Sequence, residues 1–155
     1  MLQVFRIARC KWSRELSGYG ASLSHTNRWN SYGIPMLYTA QSRALAVCEV
    51  LVHLDHDVVP RDMCLMTMEL EDDALIQDLA LSGSEWPLPL EHCRRIGDSW
   101  VRANEKPVLR VPSALIQGEY NYIFNPRHAD FDALKIAHVE PFRFDSRWFL
   151  KQHSR

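Results

Sequence analysis

The chain has 155 residues and a formal net charge of −1, and its 46% hydrophobic and 24% charged content is that of an ordinary globular protein. That length suits one domain, residues 1–155, burying about two thirds of its unfolded surface, and the composition excludes a disordered chain. The near-neutral charge offers no field for a polyanion, which argues against direct nucleic-acid binding and against an anionic membrane surface.

In chain order, LQVFRI predicts a first strand with Arg6 in its middle, a polar side chain that needs a partner if the strand is central. Residues 17–33, SGYGASLSHTNRWNSYG, read as a long ordered loop, and loops of that length in compact domains tend to be functional. IPMLYTA alternates as a short strand with Ile34, Met36 and Tyr38 on one face. Ser42 is a suitable N-cap for RALAVCEVLVHL, a helix whose apolar residues surround most of its circumference.

DMCLMTMEL and ALIQDLA predict two strands joined by the acidic turn EDD, and GSEWPLPL is a Pro-punctuated connection. LEHCRRIGDSWVRANE predicts an amphipathic helix with Leu90, Cys93, Ile96, Trp100 and Val101 near one stripe. PVLRVPSAL, YNYIFN and LKIAHVEPFRF predict further strands. About seven strands and two or three helices, not in regular βαβ order, predict an α+β fold with a mixed or mostly antiparallel sheet. No phosphate-binding Gly-rich motif is present.

The four cysteines, Cys10, Cys48, Cys64 and Cys93, lie at wide, irregular intervals and read as buried thiols of a reducing cytoplasm, not as a disulfide frame. No stretch approaches the ~20 apolar residues of a membrane span, and the first ten residues lack the pattern of a cleavable leader. The expectation is a soluble cytoplasmic protein.

Four features could carry chemistry. Glu49 lies between Val47-Cys48 and Val50-Leu51: either it occupies the one wet position of its helix, or it is buried and must protonate, find a cation or line a cavity. Arg28, with Trp29 and Asn30, offers a bidentate anion fork beside an aromatic ring, although a loop pinned by a buried tryptophan explains the same residues. Tyr38 is either a core ring or a stacking platform. Ser113 follows a proline outside any Gly-x-Ser-x-Gly elbow, so hydrogen bonding suits it better than nucleophilic attack. HLDHD and PRHADFD permit a metal, but a solvated helix end and an Asp-rich turn account for them better.

Taken in order, SGYGA, NRWNSYG, PMLYTA, Glu49 within ALAVCEVLVH, VPSALIQGEYNYIFNP and FRFDSRW resemble the RES-domain family, toxin halves of bacterial toxin–antitoxin pairs. The resemblance spans about Arg6 to Trp148. It implies an ADP-ribosyltransferase-like α+β fold and an enzyme that consumes NAD as substrate by breaking the nicotinamide–ribose bond, as a glycohydrolase or phosphorylase. The alternative it leaves open is a mono-ADP-ribosyltransferase acting on a cellular protein. A ribonuclease toxin and a metal-binding module are the other classes weighed.

By the same resemblance Arg28, Tyr38, Glu49 and Ser113 are the catalytic set. Arg6 and Asn121 are further NAD contacts, and no metal is expected. Asn27 stands where the family commonly has glycine. The implied partner is a helix-turn-helix antitoxin that covers the active site in a hetero-oligomer, with DNA contacts left to the antitoxin.

Overall fold

The structure, a computed structural model, describes residues 1–81 and 86–149. Residues 82–85, part of the expected Pro-punctuated connection, lie outside the described residues, as do residues 150–155. Seven strands, β1 (Leu2–Arg9), β2 (Leu37–Ala40), β3 (Met63–Leu70), β4 (Ile76–Asp78), β5 (Val108–Pro112), β6 (Tyr120–Phe124) and β7 (Leu134–Phe142), form one sheet in the order β4-β5-β6-β2-β1-β3-β7. Every pairing is antiparallel except β4 with β5. With the helices α1 (Tyr19–Ser22), α2 (Arg43–Leu51) and α3 (Leu90–Ala103), this is the expected α+β fold with a mixed sheet. The two strands flanking EDD are formed but do not neighbour one another, because β3 lies between β1 and β7 while β4 takes the opposite edge.

Side chains alternate across each strand, so the sheet has two faces with different cover. One carries Ile7, Ala40, Met63 and Leu65 under α2 residues Leu45, Ala46 and Val47, and, farther along, Leu109, Val111 and Ile123 under α3 residues Cys93 and Trp100. The other face carries Val4, Met66, Met68, Tyr122 and Phe124, with Leu16, Leu75 and Phe131 packed against it. Both longer helices therefore lie on one face, and the space between them opens over the central strands.

Each helix starts and stops for local reasons. The Ser42 hydroxyl accepts from the Leu45 amide at 3.0 Å, the expected N-cap of α2, worth about 1 kcal/mol. Past Val52, the His53 amide bonds to Val50 O at 3.1 Å, an i to i−3 contact that tightens the final turn. On α3, Cys93, Gly97, Asp98 and Trp100 are buried while Leu90 is exposed, so the inward stripe includes a carboxylate that hydrophobic periodicity does not reveal. Asn104 ends the helix in the left-handed region at φ 52°.

The cysteine expectation is corrected: Cys10 and Cys64 form a disulfide, and Cys48 and Cys93 are free. Antiparallel register sets Ala8 opposite Cys64, and the chain leaving β1 brings the Cα of Cys10 to 4.9 Å from that of Cys64. Strand pairing supplies this proximity across 54 residues of sequence. Among the described residues no helix is long and apolar enough to cross a membrane.

Candidate active site

Register builds the floor of the site. Phe5 of β1 is opposite Ala40 of β2, and Ala40 is opposite Asn121 of β6, so the three residues form one row across the three central strands. Above this row is a cavity of about 410 Å³, within the range of roughly 300–1,000 Å³ usual for small-molecule sites. Its walls are Glu49, Val50 and His53 from α2 and the turn after it, the loop 26–29, Leu90 at the start of α3, and the Ala114–Leu115 turn. Arg28, Tyr38, Glu49 and Asn121, separated by up to 93 positions in sequence, meet here.

Glu49 resolves toward the cavity. It is half-buried, and burial raises its carboxyl above the usual range, an effect only partly offset by the neighbouring Asn121 amide and the charge of Arg28. Among the described residues it has no ion-pair partner within 4 Å, so its charge is felt by Arg28 without being consumed by it. The Asn121 amide also donates to Thr39 O at 3.2 Å, which fixes its orientation toward α2.

Arg28 is held at one nitrogen. Its Nη1 donates to Leu88 O at 3.1 Å and contacts Cys93 Sγ at 3.8 Å, and its guanidinium stands 5.8 Å from the Trp86 ring. Among the described residues Nε and Nη2 make no hydrogen bond, which leaves donors for an anion. Tyr38 uses its hydroxyl structurally: it donates to Asn30 Oδ1 at 2.6 Å and accepts from the Trp29 amide at 3.3 Å. Burial pushes this phenol far above its ordinary range, so it acts as a neutral ring on the cavity wall.

The loop bearing Arg28 is braced internally by Asn30 and fastened to α3 by Arg94 and Gly97, two residues that the sequence did not single out. Asn30, fully buried, donates to Ala21 O, Ser31 O and Ile34 O. Arg94 donates to Asn27 O at 2.8 Å and His25 O at 2.7 Å. A Cβ on Gly97 would meet Trp29 O at 1.8 Å, so the helix and loop backbones touch only because position 97 is glycine. Asn27 is not among the residues with positive φ, and its amide donates to Asn30 Oδ1 at 3.2 Å.

Two expected residues sit differently. Ser113 is 3% exposed and lies behind the wall: its hydroxyl accepts from the Leu115 and Ile116 amides at 3.1 and 3.0 Å, shaping the turn that reaches the cavity. Its carbonyl accepts from Trp86 Nε1 at 3.0 Å, and Trp86 stacks on Trp29 with centroids 5.9 Å apart. Arg6 borders the cavity, but the alternation of β1 directs its side chain with Val4 and Ala8, away from Phe5 and Ile7. There its Nη1 is buried without a hydrogen-bond partner among the described residues; burial lowers its pKa, and the charge of Glu15 opposes that shift. His53, which the sequence offered only as a metal decoy, lines the cavity. Among the described residues no three His, Cys, Asp or Glu side chains are grouped to hold a metal.

The sheet, the two helices on one face and the cleft between them define an α+β protein whose central cleft is mainly apolar and holds a few polar side chains, Arg28, Glu49 and Asn121 among them. The RES domain family model matches residues 3–145. The chain is 31% identical over 150 residues to the Prs ADP-ribosylating toxin of Sphingobium sp. (strain YBL2), covering 93% of this chain and 92% of that one. It is 38% identical over 137 residues to Toxin Res of Pseudomonas putida, covering 87% and 93%. Its fold is similar to a chain in the crystal structure of the M. tuberculosis MbcT–MbcA toxin–antitoxin complex, with a TM-score of 0.72 at 18% identity over 92% of this chain and 84% of that one. The chain belongs to the RES-domain family.

Proposed function

We propose that this protein is a toxin that consumes NAD by cleaving its nicotinamide–ribose bond. The observation that carries the reading is the meeting of Glu49, Arg28, Tyr38 and Asn121 on one cavity of substrate size. Departure of nicotinamide leaves positive charge on the ribose, and a carboxylate in a partly desolvated wall stabilises that charge more than water does. Glu49 takes this role and holds the ribose hydroxyls, with Asn121 keeping its carboxylate in place. Arg28 pairs with the pyrophosphate through the donors that Leu88 leaves free. Tyr38 packs against the nicotinamide ring. Ser113 acts by setting the 114–116 turn, and Arg6 borders the substrate with its main chain.

Chromatographic measurement of nicotinamide released from NAD tests the reading. Release should be abolished by Glu49→Ala and by Arg28→Ala in folded protein; wild type without release, or Glu49→Ala with undiminished release, would overturn it. Transfer of ADP-ribose to a cellular protein is the second reading, favoured by the name of the Sphingobium relative. Labelled NAD incubated with lysate separates the two, giving a labelled protein band only for transfer.

The toxin reading also rests on the names of relatives at 31–38% identity and carries an antitoxin partner with it. Val52, Leu90 and Leu115 line the cavity while being 53%, 36% and 39% exposed, an apolar rim suited to a partner that covers the mouth. A helix-turn-helix antitoxin in that place, in the cytoplasm, completes the proposal.

A further inference from the structure

Any acceptor that arrives with a proton, whether water or a protein hydroxyl, must lose it as its oxygen bonds to the ribose carbon. The cavity wall contains five residues with ionisable side chains: Arg6, Arg28, Tyr38, Glu49 and His53. Arginine does not give up its proton in proteins, so Arg6 and Arg28 are not bases, and the Arg6 side chain leaves on the other face of the sheet. The Tyr38 phenol is neutral and buried, with its proton committed to Asn30 and its oxygen accepting from the Trp29 amide, and a neutral phenol is too weak a base to take a second proton. Glu49 is engaged with the ribose cation under the function proposed above. What is left is His53.

Its placement suits an acceptor's base. His53 follows Glu49 by four positions, and the tightened turn that ends α2 keeps the two on one side of the helix end. Glu49 is half-buried, whereas His53 is exposed while still lining the cavity, so the imidazole stands where solvent or a protein acceptor enters. The charged side chains nearby that share the cavity with it are Glu49, one turn back on α2, and Arg28 on the facing loop.

We infer that His53 is the general base that deprotonates the acceptor after nicotinamide has left; this rests on the NAD-cleaving reading of the same cavity. Nicotinamide departs with both electrons of the C–N bond. The acceptor's O–H bond then breaks toward the unprotonated imidazole nitrogen of His53 as its oxygen bonds to the ribose carbon, and the imidazolium returns its proton to solvent.

The test separates bond breaking from capture. Wild type, His53→Ala, His53→Gln and Glu49→Gln are compared in phosphate-free buffer for net NAD consumption and for exchange of labelled nicotinamide into NAD. Both His53 variants should lose net consumption by about 10²–10⁴-fold, the usual contribution of a general base, while exchange persists near the wild-type rate. Glu49→Gln should lose both. Exchange and consumption falling together in His53 variants of unchanged melting temperature would overturn the assignment, as would undiminished consumption. Wild type that consumes NAD only when phosphate is added would also overturn it, because the phosphate dianion attacks through an oxygen that already lacks a proton and needs no base. Wild type showing neither reaction would instead mean that the NAD reading itself has failed.

Discussion

Asp98 on α3 accepts two hydrogen bonds from Ser31, one from its amide at 3.0 Å and one from its hydroxyl at 2.5 Å, with the carboxylate only 5% exposed. Three residues earlier in the same loop stands Arg28, so this contact ties the stretch that bears it to the helix. Removing the acceptor leaves two donors unpaired at a buried point. Asp98→Ala should lower stability by about 1.5–3 kcal/mol, a fall of roughly 3–12 °C in melting temperature for a protein of this size. It should also weaken NAD binding more than it slows turnover, which steady-state kinetics would show as a raised KM with a smaller change in kcat. An unchanged KM would mean that the loop holds its place without Asp98.

Glu49 gives opposite outcomes for activity and stability. Its folded carboxyl is raised above the ordinary value of 4.5, mainly by burial. As pH rises through the ordinary value, the unfolded chain releases its proton before the folded one does, so the folded state loses stability until the raised value has been passed. At neutral pH the ionised carboxylate is therefore a net cost to the fold. Glu49→Gln should melt higher than wild type at pH 7, by roughly 2–4 °C for each 1 kcal/mol relieved, with the gap closing below about pH 4. It should also be inactive. In wild type, NAD cleavage should fall on the acid side at a pH above the usual glutamate range. A variant that melts lower at pH 7 and keeps its deficit in acid would contradict the linkage.

Ser113 predicts a milder phenotype than a catalytic nucleophile would. Ser113→Ala deletes the acceptor for the Leu115 and Ile116 amides but keeps the carbonyl that receives Trp86. The expected result is a loss of about 1–2 kcal/mol in stability with activity reduced and not abolished. Complete loss of turnover in a well-folded Ser113→Ala protein would assign the hydroxyl a direct role on substrate.

The Cys10–Cys64 bond encloses a long segment containing the Arg28 loop, β2 and α2, which together supply most of the cavity. Closing a loop of that length stabilises the fold by about 2–4 kcal/mol. Oxidised protein should show two titratable thiols, from Cys48 and Cys93, and reductant should lower its melting temperature. Finding four thiols in protein purified without reductant would show that the bond does not form in solution.

The alternation of LQVFRI and IPMLYTA and the N-cap at Ser42 were legible because each is a local pattern. Glu49 was legible as an anomaly for the same reason: a carboxylate between apolar neighbours needs an explanation. What stayed hidden depends on which strands neighbour which. The Cys10–Cys64 pairing and the Phe5–Ala40–Asn121 row follow from register, which no short window contains. Arg6 illustrates the limit well, since alternation alone puts it with Val4 and Ala8, yet only the position of α2 and α3 tells which face is the site. Asp98 is not among the apolar residues that periodicity picks out in its helix, and its burial depends on a loop more than sixty positions away.

Trp86 touches three things at once: the Ser113 carbonyl, the Trp29 ring and the Arg28 guanidinium. Because an indole's emission responds to nearby charge and hydration, this arrangement gives the protein an intrinsic optical gauge at the place where an anion would neutralise Arg28. The ordering of ligand capture and chemistry can then be followed in real time on the unlabelled chain, with Trp86→Phe separating its share of the signal from that of Trp29, which also lines the cavity.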